Sequence, residues 1–530
     1  MKILQLYPRI NLTSWIFWLL FSVILLIGAV YGLYETYQMY IPYPDCINMA
    51  IIYQEIKQHG FFTIKHWGFP PDNFLLNLFS FYYLWFFLFG VSITSIVVFS
   101  YGIFFLNVFL TACLVKYVTS NSKLAATLVL LLYASPLTIV SANFSHPFGH
   151  NSAMVFVLLA LLIIVDVINR TQAKVFRLFL LSSVIIICTF SDPWFDAAFI
   201  VPSILSLLLI LLWPRMEEVP PQKILIGILT TIVFSFLTGH GLYQILVHYN
   251  ILPERISSMS LASFPEMLGN LKIFLQSILT LFNYDVNAAL KFQQLIYATL
   301  GVMVVFIVVR HWAKFVRSNN LPSKFVIVFS FISSSVMVVA YVVTKFVVDL
   351  SSTRYLLNIY YMGFLTGFII LGSTWSKLGW RKSIIIAWMI LFSVPSVQSG
   401  WEQWKQKGFI QPNLSKSREI INFLVQNNLK DGLAPYFSGQ IGANSITLLS
   451  ENQIKLRPVG IYENALYPNY NNSSKLWYRD KEADFLIVHK NDVPVYYTAA
   501  VNTFGIPQKI LYVDEYTLWI WNKNLMLLLK

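Results

Sequence analysis

The sequence predicts a mainly α protein, a polytopic bundle of transmembrane helices with an extracytoplasmic α/β domain at its C-terminus. Three observations predict it. Of 530 residues, 57% are hydrophobic and 12% charged, a balance that would leave a water-soluble domain with large exposed apolar patches. The apolar residues fall in blocks of about 17 to 25, long enough to cross a hydrocarbon layer ~30 Å thick as helices. Beyond about Gly400 the blocks cease, and residues 401–530 have the composition of an ordinary soluble domain.

Taken in order, the first block, Trp15 to Tyr31, follows Lys2 and Arg9 and lacks a small-residue cleavage site, so it reads as a retained span rather than a signal peptide. A long outer loop, 34–90, follows. Its last part, Phe74 to Phe89, is apolar but broken by Asn77 and Ser80, and is expected to lie in the membrane interface as a helix. Helix 2 (Val91 to Val118), helix 3 (Leu124 to Val140) and helix 4 (from Asn151 to Asp166) come next, then helix 5 (Leu178 to Phe190). An outer turn from Ser191 to Asp196 leads into helix 6, which ends at Trp213. Helix 7 (Ile224 to Tyr243) opens a second outer loop, 248–294. Helices 8 (Leu295 to Val309), 9 (Phe325 to Val343), 10 (Leu356 to Gly372) and 11 (Ile384 to Val397) complete about eleven spans. In the C-terminal domain, Ser415 to Gln426 has helical periodicity. Ser445 to Leu449, Phe485 to His489 and Leu518 to Trp521 read as short strands.

Orientation follows from the basic residues, which resist translocation. Arg170, Lys174 and Arg177 share one short loop, and Arg310, Lys314, Arg317 and Lys324 another; the outer loops are longer but poorer in Lys and Arg. The N-terminus is therefore expected in the cytoplasm and the C-terminal domain outside, periplasmic or extracellular, with a bacterial inner membrane as the setting. The net charge of +13 is explained by these scattered loop residues, so nucleic acid is not expected as a partner. Cys113 and Cys188 fall within spans, leaving Cys46 alone on the oxidising side and no disulfide framework. Neither a P-loop, a His-Glu-x-x-His element nor a Cys-x-x-Cys pair occurs, which argues against an ATP-driven pump or a zinc protease.

Candidate chemistry gathers in the outer segments. Asp45 lies just past helix 1, where a partly desolvated carboxylate can serve as a general base; capping the next helix is the alternative. Asp72 follows Pro70-Pro71 in the same loop, and Lys65 with His66 could face a lipid phosphate or merely headgroups. His146 and His150 are four apart, but Pro147 and Gly149 between them argue for a loop with structural histidines rather than a helical metal pair. Asp192 and Asp196 flank Pro193-Trp194-Phe195 and are candidates for catalysis or for holding a divalent ion, though a helix N-cap explains Asp192 equally well. Arg354, before Tyr355, can hold phosphate oxygens bidentately or snorkel at a helix end. Arg255 and His240, the latter between two glycines, are weaker candidates. In the C-terminal domain Tyr436, Trp477 and Tyr478 could stack on sugar, with core packing as the competing role.

The layout of Asp45, a helical segment, Gly60, an aromatic-rich stretch, Pro70-Pro71, an interfacial apolar helix and a Phe89-Gly90 turn before helix 2 resembles the opening of the GT-C membrane glycosyltransferases. The likeness is to the branch of protein O-mannosyltransferases and aminoarabinose lipid A transferases. The stretch Asp349 to Leu357 is similar to an Arg-Tyr-Leu element late in that family. The resemblance implies a sugar on a polyprenyl phosphate as donor, a glycan, lipid or protein acceptor in the cell envelope, Asp45 as catalytic base, and Arg354 with Lys65 at the donor phosphate. Asp72, His146, His150 and Tyr355 become candidates for binding substrate. No cofactor is demanded, a divalent metal being the one the carboxylates could take. This chain departs from the family where Cys46 follows Asp45 in place of a second acid, and where the loop Asn143 to Asn151 carries histidines. A flippase for lipid-linked saccharide and a non-catalytic scaffold of envelope assembly are the other classes; neither the repeat symmetry nor the broken mid-membrane helices of transporters are evident.

Overall fold

A computed structural model describes residues 12–40, 44–133, 144–170, 174–212, 222–255, 260–281, 310, 320–374, 414–439, 442–479 and 482–529. The expected helices 8 and 11, the end of helix 3 and the boundary at 401 lie outside them.

The bundle comprises α1 (Leu12–Met39), α2 (Pro44–His59), α3 (Ser80–Phe89), α4 (Ile93–Thr119), α5 (Ser122–Tyr133), α6 (Asn151–Asn169), α7 (Lys174–Ser191), α8 (Val201–Leu211), α9 (Gln222–His248), α10 (Phe264–Leu281), α11 (Leu321–Val343) and α12 (Leu357–Thr374). Among the described residues, six helical stretches are long and apolar enough to cross a membrane: α4, α6, α7, α9, α11 and Leu350–Gly372. Their outward sides carry Phe105 and Phe109 on α4, Phe176 and Phe179 on α7, and Phe234 and Leu237 on α9. Exposed apolar surface of this extent suits lipid rather than water. The chain is thus a multi-pass membrane protein.

The bundle core is built from Leu, Ile, Val and Phe of α4 to α8, α11 and α12, with the stretch that carries α12 the most enclosed of the six and α6 next. Gly239 lets α9 approach α7 closely, since a Cβ there would lie 2.0 Å from Thr189 Oγ1. Gly239, one of the two glycines beside His240, therefore serves helix packing.

Before α4, the apolar stretch expected over Phe74 to Phe89 is helical, while α1, expected as a span, is not among the six. Leu75–Phe79 forms a π-helical turn that runs into α3, giving a short apolar helix over 75–89. The stretch 248–294, read as the second outer loop, is not all loop among the described residues. It contains α10, tied to the end of α11 by the Asn270 side-chain amide, which donates to the carbonyls of Val342 and Thr344 at 3.0 and 2.9 Å.

The C-terminal domain has six strands, β1 (Asp431–Pro435), β2 (Lys455–Tyr462), β3 (Ala465–Pro468), β4 (Phe485–His489), β5 (Lys509–Val513) and β6 (Tyr516–Ile520), in the order β3-β2-β1-β4-β6-β5. β1 pairs parallel with β2 and β4, and the other pairs are antiparallel. Helices α13 (Ser415–Gln426) and α14 (Ala443–Leu449) cover one face, and α15 (Val493–Phe504) the other. The helix at 415–426 and the strand at 485–489 match the sequence reading. The strand expected over 445–449 is instead α14. Ile446 and Leu448 mimic alternation, but Ala443 and Ile446, three apart, are the residues that pack into the core of this face, and so short an apolar run does not separate the two periods.

The domain docks on the first outer loop. The backbones of Gly68 and Asn472–Ser473 exchange hydrogen bonds, Gly68 N to Ser473 O at 2.9 Å and Asn472 N to Gly68 O at 2.8 Å. Trp67 meets Trp477 edge to face at 5.6 Å, and Lys455 pairs with Glu55 at 3.4 Å. Trp477 is buried in this joint, so packing is its role.

Candidate functional site

The site forms where the first outer loop, the loop before α6, the turn after α7 and the turn before α12 converge. Each piece is fixed locally. Asn73 donates from its amide to Phe190 O at 3.1 Å and accepts from Leu75 N at 2.9 Å, while Phe74 N donates to Ser191 O at 3.1 Å. These bonds pin the Asp72 segment to the end of α7. π turns follow directly at Leu75–Phe79 and Asp196–Ile200, a distortion often found beside functional residues.

His146 lies outside any helix and His150 caps α6, as Pro147 and Gly149 require. His150 is 4% exposed; its Nδ1 is 2.9 Å from Asp192 Oδ2 and its Nε2 3.8 Å from Asp72 Oδ2. Its ring stacks on Trp194 at 5.0 Å and lies 5.3 Å from Tyr355. Asp192 also accepts from Trp194 N at 3.0 Å through Oδ1, so it orders the turn after α7 and holds a histidine at once. Ligand atoms of Asp72, His150 and Asp192 all fall within 4.8 Å of one another, as a metal ion would require. Asp196 stands apart from this trio. It pairs with His240 at 3.1 Å, and its buried Oδ1 has no partner among the described residues.

Electrostatics mark the same place. Burial, then the neighbouring Asp192 charge, pushes Asp72 up to about 7, against relief from His150 and Arg255. For His150 burial pulls downward, but Asp192 and Asp72 carry it above its ordinary value. His146, buried and facing the Arg354 charge, is pulled down to about 3 and is neutral. Its Nε2 lies 3.4 Å from Cys46 Sγ.

Asp45 occupies the first turn of α2, but its side chain bonds to the C-terminal domain. The Tyr436 hydroxyl donates to Oδ1 at 2.7 Å and Asn472 Nδ2 lies 3.4 Å from the same oxygen. Burial raises its pKa, opposed by Tyr436, by the Arg354 charge and by Asn472. Arg354 sits on a 3-10 turn, Leu350–Leu356, started by Asp349 accepting from Ser351 N. Thr353 in that turn donates to Ser277 of α10 at 2.9 Å, so α10 supports the arginine. The Arg354 guanidinium lies 5.4 Å from the Tyr355 ring, and its charge acts on Asp45, His146 and His150. Arginine–carboxylate pairs among the described residues involve Arg170, Arg177 and Arg457; Arg354 is in none of them.

Asp45, Asp72, His146, His150, Asp192, Arg354 and Tyr355 are therefore brought together. Lys65 is not. Gly60, at φ 80, turns the chain into the 3-10 segment Phe61–His66, which leaves Lys65 exposed beside His66, a ring that also feels Lys475 and Arg479. Arg255 joins from the second outer loop, donating to Phe190 O at 3.1 Å with its buried Nε unpartnered among the described residues. Sequence reading missed Asn472 and the tie between Tyr436 and Asp45. The only trace of either was the aromatic character of Tyr436.

No family model matches the chain, and no curated protein does. Among solved structures it is similar to the oligosaccharyltransferase of Archaeoglobus fulgidus, crystallised in complex with Zn and sulfate. The two share 12% identity at a TM-score of 0.48, over 90% of this chain and 69% of that one. No functional conclusion follows from a likeness at that level.

Proposed function

We propose that the chain is a GT-C-type glycosyltransferase that moves a sugar from a polyprenyl-phosphate carrier to an envelope acceptor at the outer face of the inner membrane. The observation that carries this reading is the meeting of Asp45 and Arg354, a carboxylate and a cation from opposite ends of the bundle sequence, at one site beside apolar helices. In a single displacement the acceptor hydroxyl oxygen attacks the anomeric carbon and its proton passes to Asp45. The bond between that carbon and the phosphate oxygen breaks, and its electron pair leaves with the lipid phosphate. The anomeric configuration inverts. Arg354 offsets charge on the departing phosphate, which makes it a better leaving group. Burial, by raising the Asp45 pKa, makes its carboxylate a stronger base.

Asp72, His150 and Asp192 would hold a divalent metal. Two carboxylates and an imidazole suit zinc or manganese, and a cation there would relieve the burial that pushes Asp72 up. When bound, such an ion would supply positive charge to the phosphate. His146, kept neutral, would face the donor without adding charge.

Asp45→Asn and Arg354→Ala test the reading in membranes supplied with lipid-linked sugar. Transfer should fall at least about 100-fold in each, at unchanged expression, as expected for losing a general base or a charged phosphate contact. Undiminished transfer in Asp45→Asn would remove the mechanism.

A further inference from the structure

We infer that the C-terminal domain completes the site: Tyr436 and Asn472 are positioning residues that hold Asp45 through Oδ1 and leave its other oxygen to meet the acceptor. The inference rests on the role proposed for Asp45.

The ties form a network across the two domains. Asn472 Nδ2 donates to the Tyr436 hydroxyl oxygen at 2.7 Å, and Tyr436 donates onward to Asp45. Asn472 Oδ1 accepts from Asn48 Nδ2 of α2 at 2.6 Å, and its backbone oxygen accepts from Asn444 Nδ2 at 2.9 Å. Asn472 itself adopts a φ of 50, a left-handed conformation that asparagine enters more readily than most residues. Tyr436, Asn472, Asn48 and Asn444 are all buried.

Polar groups so enclosed must satisfy one another, and removing one leaves its neighbours unpaired. A domain that only covered a cavity could do so with apolar side chains. Here two buried polar groups of the docking surface, the Tyr436 hydroxyl and the Asn472 amide, are turned toward one carboxylate, with Asn48 and Asn444 bonded to Asn472 behind them. Fixing Oδ1 sets the direction of the second oxygen, which is what a base needs in order to meet a hydroxyl in a defined geometry. The charged group facing Asp45 from the bundle is Arg354. Cys46 follows Asp45 in the chain, with Tyr40 bonded to its carbonyl and His146 beside its thiol.

The test uses full-length protein in detergent micelles and dicyclohexylcarbodiimide, which adds to a protonated carboxyl. Modification of Asp45 is followed by peptide mass spectrometry across a pH series. A hydrogen bond to a carboxylate favours the charged form, so Tyr436→Phe should move the labelling midpoint up by about one pH unit. Asn472→Ala should move it the same way. Tyr478→Phe is the control. Its hydroxyl donates to Pro458 O and Asn469 O within the same domain, so it loses a buried bond without touching Asp45, and its midpoint should not move.

An unmoved midpoint in Tyr436→Phe overturns the inference, as does an equal shift in Tyr478→Phe, which would mean general loosening. Sugar transfer, measured alongside, should lose kcat in Tyr436→Phe with KM little changed. If the wild type transfers no sugar but the midpoint moves, the reaction is wrong and the positioning stands.

Discussion

Phe74 has a φ of 51, a left-handed conformation costing a residue other than glycine roughly 1–2 kcal/mol. The cost is offset by its amide bond to Ser191 O and by its ring, which lies 4.7 Å from Phe148 and 5.8 Å from His150. What the strained turn secures is Asp72 against His150 and Asp192. Between its ordinary 3.8 and about 7, Asp72 binds a proton in the folded chain that the unfolded chain has lost. Stability from this group is therefore full below about pH 4 and falls as pH rises through 7. Asp72→Asn escapes that loss, so metal-free variant at pH 8 should melt at or above the wild-type temperature. With zinc or manganese present the order should reverse. Wild type gains about 2.7 kcal/mol at a metal concentration 100 times Kd, and the variant gains far less. A wild type whose melting ignores both ions would dismiss the metal site.

Elements show why sequence recovers some parts and not others. The helix at 415–426 and the strand at 485–489 were legible because burial on one face, or on both, writes its own period into adjacent residues. The 445–449 segment misled because Ile446 and Leu448 alternate as in a strand, while the spacing that packs is that of Ala443 and Ile446. The Asp45–Arg354 convergence was legible only as two outer-mouth positions, and the Tyr436–Asn472 contribution was not legible, since pairing between distant segments leaves no local period. Gly442 is a second silent position. A Cβ there would lie 1.9 Å from the Tyr436 carbonyl oxygen and 2.4 Å from Pro44 Cγ, where backbone and a rigid ring cannot yield. Gly442→Ala should therefore destabilise docking by about 1–3 kcal/mol and lower transfer through Tyr436. Gly460→Ala is the comparison, because the atoms nearest its new methyl are outer ring atoms of Tyr467, a side chain 40% exposed. Thermal unfolding should rank the first well below the second; equal melting temperatures would contradict a rigid joint at Pro44.

At the scale of the whole molecule, two lobes with different solvents share one site, so the membrane face on which they lie decides which substrates can arrive. The Lys and Arg bias predicts the short loops inside, and the docking of the C-terminal domain on the Asp45 loop means that those two share one side. Single cysteines read this directly. Phe62, 84% exposed, reports the first loop; Val495, 63% exposed, reports the C-terminal domain; and Lys123, exposed at the start of α5, reports the loops between spans. Native Cys46 and Cys188 are buried, and Cys113, half-buried, lies within the apolar helix α4, which keeps the background low. In intact cells a membrane-impermeant maleimide should mark Phe62→Cys and Val495→Cys, and should reach Lys123→Cys only after permeabilisation. The first two must behave alike on any topology, because the Gly68–Ser473 clasp joins them. Labelling of Lys123→Cys in their place would put the carboxylate on the cytoplasmic side, where a carrier already delivered to the outer leaflet could not reach it, and the proposed transfer would have no donor.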